Sequence, residues 1–307
     1  MLKLRTHFAL AAVCRALPAF TGKGRLARFL HRRLLAAAPQ ALTIRRVRMH
    51  DGSSMIIDLR SNTEWLPFYF GSYENVLPAV LKLLREPGVA LDVGANVGFY
   101  TIPLGRHMQA LQGRCIAFEP VPANYARLLE NIKANHLDEA IQALPLAVGE
   151  VNAQITMLRD DQRGAQTGNA ARVRHAAFND GQLERQPLYA QMIRLDDHVE
   201  RLGLNDLPCR FVKVDIEGHE PSFFDGAAVF LKKHRPLMLA EVNPVWLARN
   251  QFGVDDYFRR LGPEGYAFFV WQQNRWIETP RPEDFPSDTR IRSLLLVPPG
   301  FSQTASL

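Results

Sequence analysis

Leu91-Asp92-Val93-Gly94-Ala95-Asn96-Val97-Gly98-Phe99-Tyr100-Thr101 is an apolar run that ends in an acid and two glycines before a helical stretch. From Val89 to Val93 it reads as a buried strand. Gly94 and Gly98 then allow a tight strand-to-helix turn, and a ligand can approach the backbone closely at the carboxyl edge of a parallel sheet. A dinucleotide fingerprint needs glycine where Asn96 and Phe99 stand, so that pattern fails.

Working outward, short apolar runs alternate with helical stretches from Tyr73 onward. Strands are expected at 89–93, 115–118, 141–148, 211–214, 237–242, 267–271 and 292–297. Helices are expected at 98–107, 124–135, 220–231 and 254–261. This is the signature of an α/β, doubly wound, mostly parallel seven-stranded sheet with helices on both faces, a Rossmann-like fold. Ahead of it, Ile44 to Met49 and Met55 to Leu59 read as a β-hairpin around Asp51-Gly52. The aromatic group Trp65, Phe68, Tyr69, Phe70 and Tyr73 reads as core.

The second strand closes with Phe118-Glu119-Pro120, and Glu119 lies 21 residues after Gly98. In this architecture a carboxylate there accepts hydrogen bonds from both ribose hydroxyls of a nucleoside. A pyrophosphate beside Asp92 is repelled, whereas the ammonium and sulfonium of S-adenosylmethionine are attracted. The fourth strand ends Val212-Lys213-Val214-Asp215-Ile216-Glu217-Gly218-His219-Glu220. Strand alternation points Asp215 and Glu217 the same way, toward the crevice, where they could orient and deprotonate an attacking hydroxyl. Asp215, Glu217 and His219 also have the types to bind a divalent metal, but no further ligand cluster accompanies them, so the metal-free reading is preferred. Glu241 or Asn243 could reach substrate, and Asn243 could equally cap a helix.

Composition bounds the rest. With 307 residues and 47% hydrophobic content the chain buries a full core and is not disordered. Cys14, Cys115 and Cys209 are odd in number and lack metal or redox spacing, which suggests reduced thiols in the cytoplasm. Residues 1–50 hold 11 Lys and Arg and no acid, leaving 26 basic against 31 acidic residues in the remainder. A net acidic body repels a phosphate backbone, so no nucleic-acid partner is expected. No window spans a bilayer. An apolar run does follow the charged start, but Arg15 ends it early and Ala36-Ala37-Ala38 lies too far on, which disfavours a leader. Residues 1–42 read as a basic arm whose amphipathic stretch, Arg25 to Leu35, either packs on the body or lies peripherally on an anionic membrane. Residues 43–307 read as the main α/β domain. The polar stretch 150–188 reads as an insertion, either a substrate lid or a passive excursion. No Gly-x-Ser-x-Gly elbow, zinc spacing or triphosphate loop occurs.

Taken together, Phe70-Gly71-Ser72-Tyr73-Glu74, the 91–98 run, Phe118-Glu119-Pro120, Ala147-Val148-Gly149, Leu195-Asp196-Asp197 and the 213–220 run make the chain resemble the FkbM family of S-adenosylmethionine-dependent methyltransferases over residues 50–297. The resemblance implies O-methylation of a hydroxyl on a small molecule or saccharide. It places Asp92, Gly94, Asn96 and Gly98 at the methionine end of the cofactor, Glu119 at its ribose, Ala147 with the cofactor, and Asp215 and Glu217 at the reaction centre. His219 stands where the family often has a small residue. Two other readings remain: a nicotinamide-dependent oxidoreductase, which shares the sheet, and a non-catalytic membrane-surface protein, which would explain the arm. Oligomeric state is left open.

Overall fold

A computed structural model describes residues 2–18, 20–37, 44–61, 63–159, 170–172 and 187–302. Helices α1 (Leu2–Ala16) and α2 (Lys23–Ala37) come first, followed by the antiparallel hairpin β1 (Ile44–Arg48) and β2 (Ser54–Asp58). Two short helices, α3 (Trp65–Phe70) and α4 (Val76–Leu81), lead into the main sheet.

That sheet begins with β3 (Val89–Val93), α5 (Thr101–Ala110), β4 (Arg114–Phe118), α6 (Pro122–Ala134) and β5 (Ile141–Leu144). It resumes with β10 (Cys209–Val214), α7 (Glu220–Gly226), α8 (Ala228–His234), β11 (Leu237–Val242), α9 (Pro244–Arg249) and α10 (Asp255–Leu261). It closes with β12 (Ala267–Gln272), β13 (Arg275–Glu278) and β14 (Arg292–Val297). The order is β13-β12-β14-β11-β10-β3-β4-β5. The five strands from β11 to β5 run parallel, and β14, β12 and β13 add antiparallel pairings. The expected α/β sheet is present, and its eighth strand is the edge partner β13.

Strand alternation sorts the core into two layers. On β3, Ala90 faces the layer formed with α1 to α6, while Val89, Leu91 and Val93 face the layer of α7, α8 and α10. On β10 the partition depends on a bulge. Cys209 pairs with Val89 but Phe211 pairs with Ala90, so Arg210 is an extra residue, and Lys213 comes into register beside Asp92.

A second sheet flanks the first, in the order β6-β9-β7-β8, from β6 (Ala147–Val148), β7 (Ala153–Arg159), β8 (Ala170–Arg172) and β9 (Pro187–Ile193). The single strand expected over 141–148 is therefore two strands, and the stretch expected to be irregular carries β7, β8 and the start of β9. Residues 160–169 and 173–186 of the expected insertion lie outside the described residues. Pro145 explains the split, because proline has no N–H to continue a ladder. The helix expected over 220–231 is also two helices, α7 and α8. At its junction Gly226 lies so close to the Gly149 carbonyl that a Cβ would fall 1.8 Å from that oxygen.

Candidate active site

The carboxyl ends of β3, β4, β10 and β11 open on one cavity holding about 1030 Å³ of empty space. Its first wall is the β3–α5 turn. Gly94 has φ +83°, and a Cβ there would fall 1.9 Å from the Asp215 carbonyl oxygen, so no other residue fits. Asn96 is also left-handed, with φ 50°, which turns its N–H onto Glu119 Oε2 at 2.8 Å. Glu119 Oε1 accepts from the Val121 N–H at 2.9 Å and from Asn124 Nδ2 at 3.3 Å. Burial nevertheless pushes the Glu119 carboxyl up to about 7, these hydrogen bonds only partly opposing the shift. A carboxylate has about four lone-pair sites, so Oε2 keeps acceptor capacity toward the cavity.

The opposite wall is the β10–α7 loop. β10 stops at Val214, so Asp215 and Glu217 do not share a strand face as alternation suggested. They reach the same cavity because the loop turns: Glu217 and Gly218 are both left-handed, with φ 56° and 82°. The buried Glu220 carboxylate staples the loop, accepting from the Ile216 N–H at 2.9 Å and from the Tyr257 hydroxyl at 3.1 Å. Burial, the largest influence on it, raises that carboxyl to about 7. His219 is buried at the start of α7 and lines the cavity, its ring edge-on to Phe252.

Gly94, Asn96, Glu119, Ala147, Asp215, Glu217 and His219 all line this cavity, whereas Asp92 and Gly98 do not. Asp92 is sealed at 0% exposure, held by the Thr101 hydroxyl at 2.6 Å and by Lys213 Nζ at 3.6 Å. Gly98, with φ +100°, packs the turn against Leu128. Asn243 caps α9, its side chain accepting from the Trp246 N–H at 3.3 Å.

Sequence reasoning assigned no role to several residues at the centre. Lys213 bridges Asp92 and Asp215 at 3.6 and 3.2 Å, donates to the Gly94 carbonyl at 3.2 Å and sits over the Tyr100 ring. Burial alone would lower its pKa, but Asp215 and Asp92 more than offset this and raise it, so it stays an ammonium. A lysine inside an otherwise apolar buried strand was the available signal. Tyr73 stacks flat on Phe99 at 4.6 Å, and the Tyr100 hydroxyl donates to Glu74. Glu241, which the sequence already offered as able to reach substrate, lines the cavity, and burial, then the charges of Asp215 and Glu217, raise its carboxyl well above the ordinary range. The second sheet contributes the apolar side of the cavity through Val148, Ile155, Met157 and Met192. Among the described residues, no three His, Cys, Asp or Glu side chains are grouped to hold a metal ion.

An α/β sheet with a glycine turn, a carboxylate at the end of the neighbouring strand and an apolar flank defines a nucleoside-cofactor-binding protein. The family model for the methyltransferase FkbM domain matches residues 92–270, more than half of the chain, and the chain belongs to that family. It is an S-adenosylmethionine-dependent methyltransferase. No curated protein matches the chain. Among solved structures it is similar to methyltransferase FkbM from Methylobacillus flagellatus, at 17% identity and TM-score 0.41, covering 96% of this chain and 59% of that one. It is also similar to precorrin-6y C5,15-methyltransferase from Geobacter metallireducens, at 13% identity and TM-score 0.38, covering 72% and 86%. A third is P. horikoshii TYW2 in complex with MeSAdo, at 11% identity and TM-score 0.39, covering 83% and 70%.

Proposed function

We propose that the enzyme methylates a hydroxyl group on a small molecule or saccharide. The observation that carries this reading is the charge of the cavity. Asp215, Glu217 and Glu241 converge on it, and Lys213, the one lysine or arginine among the described residues of its lining, is already engaged by Asp92 and Asp215. An anionic acceptor would be repelled there, whereas a neutral polyol can donate hydrogen bonds to the carboxylates.

The residues present suit the cofactor. Gly94 to Asn96 expose backbone at the methionine end, the free capacity of Glu119 Oε2 suits ribose hydroxyls, and Ala147, Val148 and Ile155 offer an apolar berth for the base. When bound, S-adenosylmethionine supplies an electrophilic methyl group on a neutral thioether leaving group. The protein's task is then to position the acceptor oxygen and take its proton. Asp215, oriented by Lys213, accepts the hydroxyl hydrogen and finally the proton as the oxygen–methyl bond forms. Glu217 accepts from a neighbouring hydroxyl. Glu241, on the same cavity wall, offers a further hydrogen-bonding carboxyl group that fixes the acceptor's rotation. The same three carboxylates remain in the site when the acceptor is a sugar unit of a larger conjugate. The buried, unpaired thiols of Cys14, Cys115 and Cys209 support a cytoplasmic setting.

The test is transfer of labelled methyl to a panel of neutral polyols, amines and phosphorylated sugars, with product linkage read by mass spectrometry. Neutral O-methylated products and loss of transfer in Asp215→Asn with cofactor affinity retained are expected. Exclusive N-methylation, or a preference for phosphorylated acceptors, defeats the reading.

A further inference from the structure

The sequence of α1 and α2 buries one side of each helix and leaves the other in an unusual state. Ala11 and Cys14 of α1, with Ala27, Leu30 and Leu34 of α2, join the core together with Phe68 and Tyr69. On the outer side of α1, every exposed residue from Ala9 to Leu17 is Ala, Val or Leu. A surface helix of a water-soluble domain normally turns charged and polar residues outward, so this pattern is inverted.

The inversion is concentrated. Of the 14 large hydrophobic residues exposed in the described structure, six fall within residues 10–29: Leu10, Val13, Leu17, Phe20, Leu26 and Phe29. Beside them stand the exposed Arg25, Arg28, Arg32 and Arg33 of α2, and Arg33 lies over the Phe29 ring at 4.9 Å. The hairpin is firmly tied: the buried Lys23 donates to the Leu17 carbonyl at 2.6 Å, and Arg15 donates to the Phe68 carbonyl at 2.8 Å. His31 stacks on Trp65 at 4.6 Å.

We propose that the α1–α2 hairpin is a docking surface for an anionic lipid bilayer. Apolar side chains that enter the acyl boundary, beside arginines that meet headgroup phosphates, form the chemistry of an interfacial helix. The absence of any acid among residues 1–50 argues against a second copy as the occupant, since two such surfaces repel each other. The apolar outer side of α1 argues against a polynucleotide, whose phosphates give leucine and valine nothing to bury. The placement also has consequences for the cavity. α3 packs on both helices, and Thr63 and Tyr73, just before and after α3, line the site. A docked hairpin therefore brings the cavity wall close to the membrane plane, whatever acceptor the site takes.

The test is co-sedimentation of the full chain with vesicles of phosphatidylcholine and phosphatidylglycerol, against vesicles of phosphatidylcholine alone. Binding to the mixed vesicles is expected. Val13→Asp/Leu17→Asp abolishes it, and Arg28→Glu/Arg32→Glu lowers the partition coefficient by roughly tenfold or more. All four positions are exposed, so unfolding temperature and cofactor affinity should match those of the parent, which separates lost docking from lost folding. Failure of the parent to sediment overturns the proposal, as does binding that survives both double variants. A dimer seen by light scattering that Val13→Asp/Leu17→Asp dissolves, without vesicle binding by the parent, would assign the face to a second copy.

Discussion

Two neighbouring strands of this sheet end in an acid followed by a glycine turn, yet the two turns do different work. At the end of β3, Asp92 is sealed beneath the cavity, paired with Lys213 and hydrogen-bonded by Thr101, and the turn presents its backbone. At the end of β10, Asp215 leans on the same lysine but keeps 26% of its side chain exposed, and the loop presents carboxylates. An acid at a strand end is thus a structural group in one case and a chemical one in the other. What separates them is whether a second partner closes over the carboxylate: Asp92 has the Thr101 hydroxyl, while Asp215 faces open space.

The sharpest way to break the contrast is Gly94→Ala, since the new methyl cannot coexist with the Asp215 carbonyl. Loss of about 4 kcal/mol or more is expected, with cofactor binding gone, by thermal unfolding and calorimetry. Next is Lys213→Met, which strands a buried carboxylate at Asp92. It should cost about 3–5 kcal/mol, and Asp92→Asn on the same background should restore part of the loss in chemical denaturation. If Lys213→Met were neutral, the sealed and open acids would not share a cation in any meaningful sense.

Asp215→Asn should cost about 1–2 kcal/mol, less than Lys213→Met because Asp92 still pairs the lysine, while lowering kcat by roughly a hundredfold or more. Equal losses of kcat and stability would erase the distinction between the turns. The mildest effect is a pH dependence. Glu119 and Glu220 are raised from 4.5 to about 7 in the fold, so stability of the ligand-free protein is greatest below pH 4.5 on their account and falls as pH rises through 7. Cofactor hydrogen bonds require the ionised Glu119, so affinity should rise with pH through about 7 and then level off. Glu119→Gln should flatten that profile in calorimetry.

The part of the fold that sequence made legible is the part with one dominant signal. β3 could be read to the residue, because a run of four apolar residues and one acid ends abruptly in Gly94. The second sheet could not. Its alternation, Ile155 and Met157 on β7 with Ala190 and Met192 on β9, was short, embedded in polar sequence and split across a long interval. α1 was hidden because its exposed side is as apolar as its buried one, which removes the helical period. In the site, residue types with obvious chemistry were visible. Tyr73, Glu74 and Lys213 gained meaning only when the fold stacked one on Phe99, hydrogen-bonded another to Tyr100 and set the third between two acids. Glu217 lines the cavity, but a left-handed turn, not the strand alternation expected from the sequence, brings it there.

The bulge at Arg210 has a consequence for how this enzyme can vary. Because the extra residue shifts every later pairing on β10 by one step, it decides that the ammonium of Lys213 arrives opposite Asp92 instead of Val93. Deleting Arg210 would therefore swap the inward and outward sets downstream and place a bare charge among aliphatic neighbours. In this segment the number of residues matters to the site as much as their identity.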